Sequence, residues 1–229
     1  MTPLIAASGL GGLFALIYGA AYVGRPPSAL RTVLKAASVA VLALGVWWSL
    51  PAADILIDPR AAPSDPLPVS AIVIGAVLAC ALGDAFLSGN GWALLLAGIL
   101  AFALGQLGYI LAMAAGFGSL EFPPIWFRAV VISVTSLGVV LLPRTIPILV
   151  RALMMVYGCI LVVMAWFAFQ TGNTLLIAGA LLFVLSDLLI ALQMSEKLPK
   201  KAQDFSGYGV WFTYWPAQAL IVWGFSSVL

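Results

Sequence analysis

The chain has no histidine, and only two of its 229 residues are cysteine. The first absence removes imidazole acid–base and nucleophilic catalysis. The two together leave too few soft or borderline ligands for a zinc site. Cys80 and Cys159 both fall inside apolar runs, so they read as small apolar filler and not as a secreted disulfide. Charge is scarce as well, at 8% of residues with a net of +2, where soluble domains carry about 25%. So small a positive balance gives no electrostatic footprint for nucleic acid. What fills the chain is hydrophobic residues, 64% of it, with a mean hydropathy of +1.16. This is the composition of an integral membrane protein. The length leaves no room for a soluble domain beside the membrane part, so residues 1–229 read as one transmembrane domain. No basic segment precedes the first apolar run, which reads as a retained helix and not a cleaved signal.

A helix needs about 20 apolar residues to cross the hydrocarbon core. Eight such stretches are found, at about 4–24, 30–50, 68–88, 92–115, 126–142, 147–169, 173–193 and 208–227, the fifth being short. The expected fold class is an all-α membrane protein, an eight-transmembrane-helix bundle. Turn-forming connections separate the stretches, among them "GRPPS", "SGNG", "LPRTIP", "QTGN" and "EKLPKKAQDFSG". With the N-terminus outside, the cytoplasmic loops and adjoining helix ends hold Arg25, Arg31, Lys35, Arg144, Arg151, Lys197, Lys200 and Lys201. The other side holds only Arg60 and Arg128, together with Asp54, Asp58, Asp65 and Glu121. The positive-inside rule expects such a split. It places both termini on the extracytoplasmic side of what is expected to be a bacterial inner (cell) membrane.

Two carboxylates interrupt the apolar runs. Asp84 stands in "ACALGDAFLSGN" and Asp187 in "LLFVLSDLLIAL". The third and seventh helices run the same way, and each aspartate lies a turn or two before its helix ends. Both therefore sit at similar depth below the cytoplasmic interface, and Lys35 on the second helix reaches that layer from the other direction. An ionisable group in the hydrocarbon costs about 2.5–3.5 kcal/mol on insertion scales, so it ordinarily faces a polar cavity and has a function. The plainer reading is that the aspartates only pair with Lys35 or Arg151 to hold the bundle. The small residues Ala76, Cys80 and Gly83 beside Asp84 favour a cavity. Lys35 has its own plain reading, a lysine near a helix end that snorkels to the headgroups.

Weaker signals surround these. Gln106 and Tyr109 share a face of helix 4 among glycines, and Tyr214 and Gln218 share a face of helix 8. Each pair reads equally as site residues or as a helix contact with one interhelical hydrogen bond. Trp47, Trp48, Trp126, Trp211 and Trp215 lie near predicted helix ends and read as interfacial anchors. There is also an internal echo. Helices 2–4 carry Lys35, Asp84 and Gln106, and helices 6–8 carry Arg151, Asp187 and Gln218 in the same order, the pattern of a parallel repeat.

Four segments, "LGDAFL", "FALGQLGYILAM", "ALLFVLSDLLIALQMS" and "YWPAQALIVWG", resemble the YhhN/TMEM86 family, the lysoplasmalogenases. The resemblance spans nearly the whole chain, including the count of eight helices. Two departures stand out: Gly105-Gln106 where the family usually has Gly-His, and Lys35-Ala36 where it has Lys-Pro. The resemblance implies hydrolysis of the vinyl ether bond of a lysoplasmalogen to a fatty aldehyde and a glycerophospho-base. It implies no metal or cofactor, a lysophospholipid substrate and the bilayer as surroundings. A vinyl ether is cleaved by protonating its β-carbon, which leaves an oxocarbenium ion for water to meet. One carboxylic acid can donate while a second carboxylate stabilises the cation or activates water, as in glycosidases. Asp84 and Asp187 are the expected catalytic pair. Lys35, Gln106, Tyr109, Arg151, Tyr214 and Gln218 are the expected substrate-binding residues, with Lys35, Arg31 and Arg151 near the phosphate. The alternatives are a small transporter or proton/cation relay using the same aspartates, a non-catalytic lipid-binding protein, and a different lipid hydrolase on the same bundle.

Overall fold

The computed structural model describes residues 2–50, 68–118, 121–140, 142–195, 199–226 and 228–229. Among these the chain forms eight helices: α1 Thr2–Ala21, α2 Ala29–Ser49, α3 Val69–Leu87, α4 Trp92–Gly116, α5 Ile125–Val140, α6 Ile148–Gln170, α7 Thr174–Met194 and α8 Lys200–Phe225. Seven begin and end within a few residues of the positions expected from the apolar runs. The loop with Asp54, Asp58, Arg60 and Asp65, and likewise Lys197, lies outside the described residues.

Local chemistry sets the ends. Ser28 caps α2 by accepting from the Arg31 N–H, and Asn173 caps α7 by accepting from Leu175 and Leu176. Prolines 68, 147 and 199 precede α3, α6 and α8, where a missing N–H is harmless. The sharp reversal between α6 and α7 passes through Gly172 at φ 65°, a backbone region in which a side chain is strained. The largest departure from the sequence reading is α8. It starts at Lys200, so "KKAQDFSG" is not a loop but two helical turns projecting beyond the apolar part. Those residues are polar without being helix-breaking, and the Gln193 amide donates to Ser206 Oγ at 2.6 Å to tie them to α7.

Six helices (α1, α2, α3, α4, α6 and α7) are long and apolar enough to cross a membrane, so this is a multi-pass membrane protein. At 16 residues α5 is short. α8 is long but too polar, and its packing gives the reason. α2 packs on α3, α3 on α4, α4 on α6, α6 on α7, α7 on α8, and α8 back on α2. These packed helices, α2, α3, α4, α6, α7 and α8, close a ring in which α8 turns Tyr214 and Gln218 inward, where both are buried. Leucines such as Leu16, Leu104 and Leu111 cover the outside.

The helix contacts repeat. α1–α2, α2–α3, α3–α4 and α4–α6 recur as α5–α6, α6–α7, α7–α8 and α8–α2. The correspondence extends to residues. Ala76 of α3 lies where Gly105 and Gly108 bring α4 close, and Gly179 of α7 lies against Ala217 and Ile221 of α8. Small residues at these crossings let the backbones approach. Asp84 and Asp187 each lie eight residues past that crossing residue. The echo in the sequence is therefore a structural repeat, with one carboxylate at the same place in each half.

Candidate active site

Asp84 sits one turn before the end of α3, on the face that packs into the ring, and is 1% exposed. A buried carboxylate needs donors, and two other helices supply them. Lys35 Nζ of α2 lies 3.0 Å from Asp84 Oδ1, and the Tyr214 hydroxyl of α8 donates to Oδ2 at 2.6 Å. The end of α3 is fixed from the same side. Ser88 Oγ donates to the Asp84 carbonyl at 2.8 Å, and Arg31 donates to the Ser88 carbonyl at 2.8 Å. Both oxygens of this carboxylate are therefore engaged, one of them by a cation.

Asp187 occupies the matching place on α7 with a different neighbour. The hydroxyl of Tyr157, on α6, donates to its Oδ2. Asp187 is half-buried, and it lies near enough to Asp84 for their charges to interact. Among the described residues no cation pairs with it.

Both aspartates line one cavity of about 420 Å³. It follows α7 from Met194 to Val184, roughly 15 Å at 1.5 Å per residue. Its walls are mostly aliphatic, with Leu95, Ile99 and Leu161 among them, and Lys35, Tyr157, Tyr214, Thr135, Ser186 and the Trp211 indole add polar groups beside the two acids. Thr135 and Gly138 of α5 form part of the wall. An elongated apolar slot with a few convergent polar groups is the usual form of a small-molecule site.

The expected substrate-binding residues divide into three groups. Lys35 and Tyr214 are at the cavity, but both are turned onto Asp84. The expectation that Lys35 snorkels toward a headgroup gives way to an inward ion pair, because the buried carboxylate offers its amine a closer partner than the interface does. Tyr109 and Gln218 form a second layer behind the site. Tyr109 donates to Gln218 Oε1 at 2.5 Å, and Gln218 Nε2 donates to the Tyr214 hydroxyl at 3.3 Å. This chain of contacts orients Tyr214 from α4 and α8. Gln106 is fully buried and lies beside Tyr157, yet neither its amide nitrogen nor its oxygen has a hydrogen-bond partner among the described residues. Arg151 is one turn before Met154, which lines the cavity, and makes no ion pair with either aspartate among the described residues.

Three residues stand differently in the structure from what the sequence alone shows. Tyr157, the only donor to Asp187 among the described residues, was not singled out. The available signal was a single hydroxyl in the middle of the apolar run "MMVYGCIL". Trp211 is not an interfacial anchor: it is 3% exposed, lines the cavity and donates to the Ala15 carbonyl at 2.9 Å. Trp215 likewise turns inward, donating to the Ser38 carbonyl at 3.1 Å. Trp47, Trp48 and Trp126 are exposed.

The sequence model of the YhhN family matches residues 30–225, a span that holds every residue of this site. No curated protein and no solved structure matches the chain.

Proposed function

The chain belongs to the YhhN family, and from that premise we propose that it hydrolyses the vinyl ether bond of lysoplasmalogens with Asp84 and Asp187. The observation that carries the reading is the pair of carboxylates, at equivalent places in two structural halves, on one elongated apolar cavity. An apolar slot suits an alkenyl chain. Two acids beside it suit a reaction that needs a proton at carbon and then a partner for a cation. The proton goes to the β-carbon, and the π electrons form the new C–H bond. Water adds to the oxocarbenium carbon, and the hemiacetal collapses to an aldehyde and the glycerol hydroxyl. Acid, carboxylate and water suffice for every step.

The membrane arrangement follows the same reading. α5 and α8 also cross, α8 being polar because it faces the inside of the ring. With eight spans and both termini on the extracytoplasmic side, eight of the ten Lys and Arg residues are cytoplasmic. The cavity then runs inward from the cytoplasmic boundary, where Leu87, Leu142 and Met194 stand. A lysolipid enters there with its phosphate near Arg31 and Arg151 and its vinyl ether at the depth of the acids. The test is aldehyde release from a lysoplasmalogen by the purified protein in detergent, repeated with Asp84→Asn and Asp187→Asn. Each variant should lose about 10²–10⁴-fold of the rate, the usual contribution of acid–base groups. Wild-type-like turnover by either folded variant would refute the role of that residue.

A further inference from the structure

The two carboxylates occupy equivalent places in the repeat, but their surroundings differ in kind. Asp84 meets a cation from α2 and a hydroxyl from α8, so both oxygens are held as acceptors. An acceptor-only carboxylate is an ionised one. Asp187 receives a single hydroxyl, on Oδ2. Its Oδ1 carries no hydrogen bond among the described residues and is not sealed from the cavity.

The repeat shows where the difference arises. Glycine and alanine crossings align Gly105 of α4 with Ala217 of α8, and this register puts Phe102 in the place of Tyr214. Tyr214 has a hydroxyl and spends it on Asp84. Phe102 has none, and its ring lies edge-on to that of Tyr214 at 5.7 Å. Among the described residues the second half also has no cation paired with its acid as Lys35 is with Asp84. The fold thus fixes one carboxylate as an anion and leaves the other a free oxygen on the cavity.

We infer that Asp187 is the acid that protonates the vinyl ether carbon and Asp84 is the standing carboxylate that faces the resulting cation. The assignment rests on the reading given under Proposed function. In the forward step the Asp187 O–H proton passes to the β-carbon and Asp187 is left ionised. The oxocarbenium ion is then flanked by Asp84. Water attacking that carbon returns a proton to Asp187, which restores the starting state. Tyr157 and Tyr214 are positioning residues, each setting one carboxyl group.

Among the described residues, few groups face the pair. Asp84 is met by Lys35 of α2, Tyr214 of α8 and the charge of Asp187 on α7. Asp187 is met by Tyr157 of α6 and the charge of Asp84. Cys80 of α3 lies within electrostatic reach of both.

The experiment is a pH–rate profile of kcat for aldehyde release from an ethanolamine lysoplasmalogen. It compares wild type, Tyr157→Phe and Tyr214→Phe, each variant losing one hydroxyl without stranding a charge. Both hydroxyls stabilise the ionised form of their own acid. With Asp187 as proton donor, activity is lost as pH rises through its titration, and Tyr157→Phe moves that alkaline limb up by about one unit. With Asp84 as carboxylate, activity is lost as pH falls, and Tyr214→Phe moves the acidic limb up by a similar amount. Exchanged limbs, or limbs that do not move, overturn the assignment. Turnover in D₂O places one deuterium on the aldehyde α-carbon if the carbon is protonated. Wild type that releases no aldehyde, or aldehyde without that label, overturns the underlying reading and the assignment with it. A labelled aldehyde with exchanged limbs overturns the assignment alone.

Discussion

The Lys35–Asp84 pair makes a stability prediction that does not depend on catalysis. Asp84 is 1% exposed and Lys35 15%, so the two partners are unequal. In Lys35→Met a buried carboxylate keeps only the Tyr214 hydroxyl, and removing one partner of a buried pair costs about 3–5 kcal/mol. In Asp84→Asn the stranded group is a lysine on a flexible stem, able to turn its amine toward the interface. The asparagine keeps an acceptor for Tyr214, and the loss falls to about 1 kcal/mol, the scale of one ordinary hydrogen bond. The double variant strands nothing, so it should be more stable than Lys35→Met by about 2 kcal/mol; with the loss of about 1 kcal/mol in Asp84→Asn this is a coupling of about 3 kcal/mol, the top of the range for contacting residues. Thermal unfolding in detergent, followed through the eight tryptophans, measures all four proteins. If Lys35→Met melted with wild type, or if the two single losses simply added, the buried ion pair would not be the interaction that holds this corner of the ring.

Chelators should leave activity intact, because the chain has no histidine and no three of its Cys, Asp and Glu residues gather among the described residues. Loss in EDTA reversed by a divalent ion would show a carboxylate-held metal. Gly179→Ala should destabilise by about 1–3 kcal/mol as an overpacked contact, since its new Cβ would meet the Ala217 carbonyl at 2.9 Å and the Ile221 nitrogen at 3.0 Å. Gly75→Ala, with nothing within 4 Å, should melt like wild type, and equal losses at the two positions would count against the tight α7–α8 crossing. Gly138→Leu should fill the α5 wall of the cavity and raise KM without lowering the melting temperature. An unchanged KM would place the substrate elsewhere.

What the sequence made legible follows from which forces act along one helix and which act between helices. The apolar runs located seven helices because hydrocarbon demands an uninterrupted length from each. The same demand made Asp84 and Asp187 conspicuous. The start of α8 was not legible, since "KKAQDFSG" lies beyond the apolar part and helix and loop are equally polar there. Neither were the partners. Whether Lys35 reaches up to headgroups or across to Asp84 depends on how α2 leans on α3, and an apolar sequence is silent about that. Tyr157 was missed for the same reason, as one hydroxyl gains meaning only when α7 brings a carboxyl to it. Trp211 was misread because distance along the chain from a helix end was taken for exposure, whereas the ring turns that part of α8 inward. The internal echo was visible through Asp84 and Asp187 and through Gln106 and Gln218. Its remaining pair does not correspond, since Lys35 meets Asp84 while Arg151 makes no ion pair with Asp187 among the described residues, and Tyr157 is the donor to that acid.

The ion pair joins two helices that are consecutive in the chain, and this bears on how the protein enters a bilayer during synthesis. Alone, α2 carries Lys35 and α3 carries Asp84 into hydrocarbon, each at about 2.5–3.5 kcal/mol on insertion scales. Delivered together as a helical hairpin, they enter with the two charges already matched. The partner is the next span to leave the ribosome. The second acid needs no such escort, since Tyr157 on the preceding helix α6 brings its hydroxyl without a charge. Biogenesis thus calls for the same asymmetry as the proposed chemistry, in which the carboxylate held beside a cation is the one that arrives beside its own counter-ion.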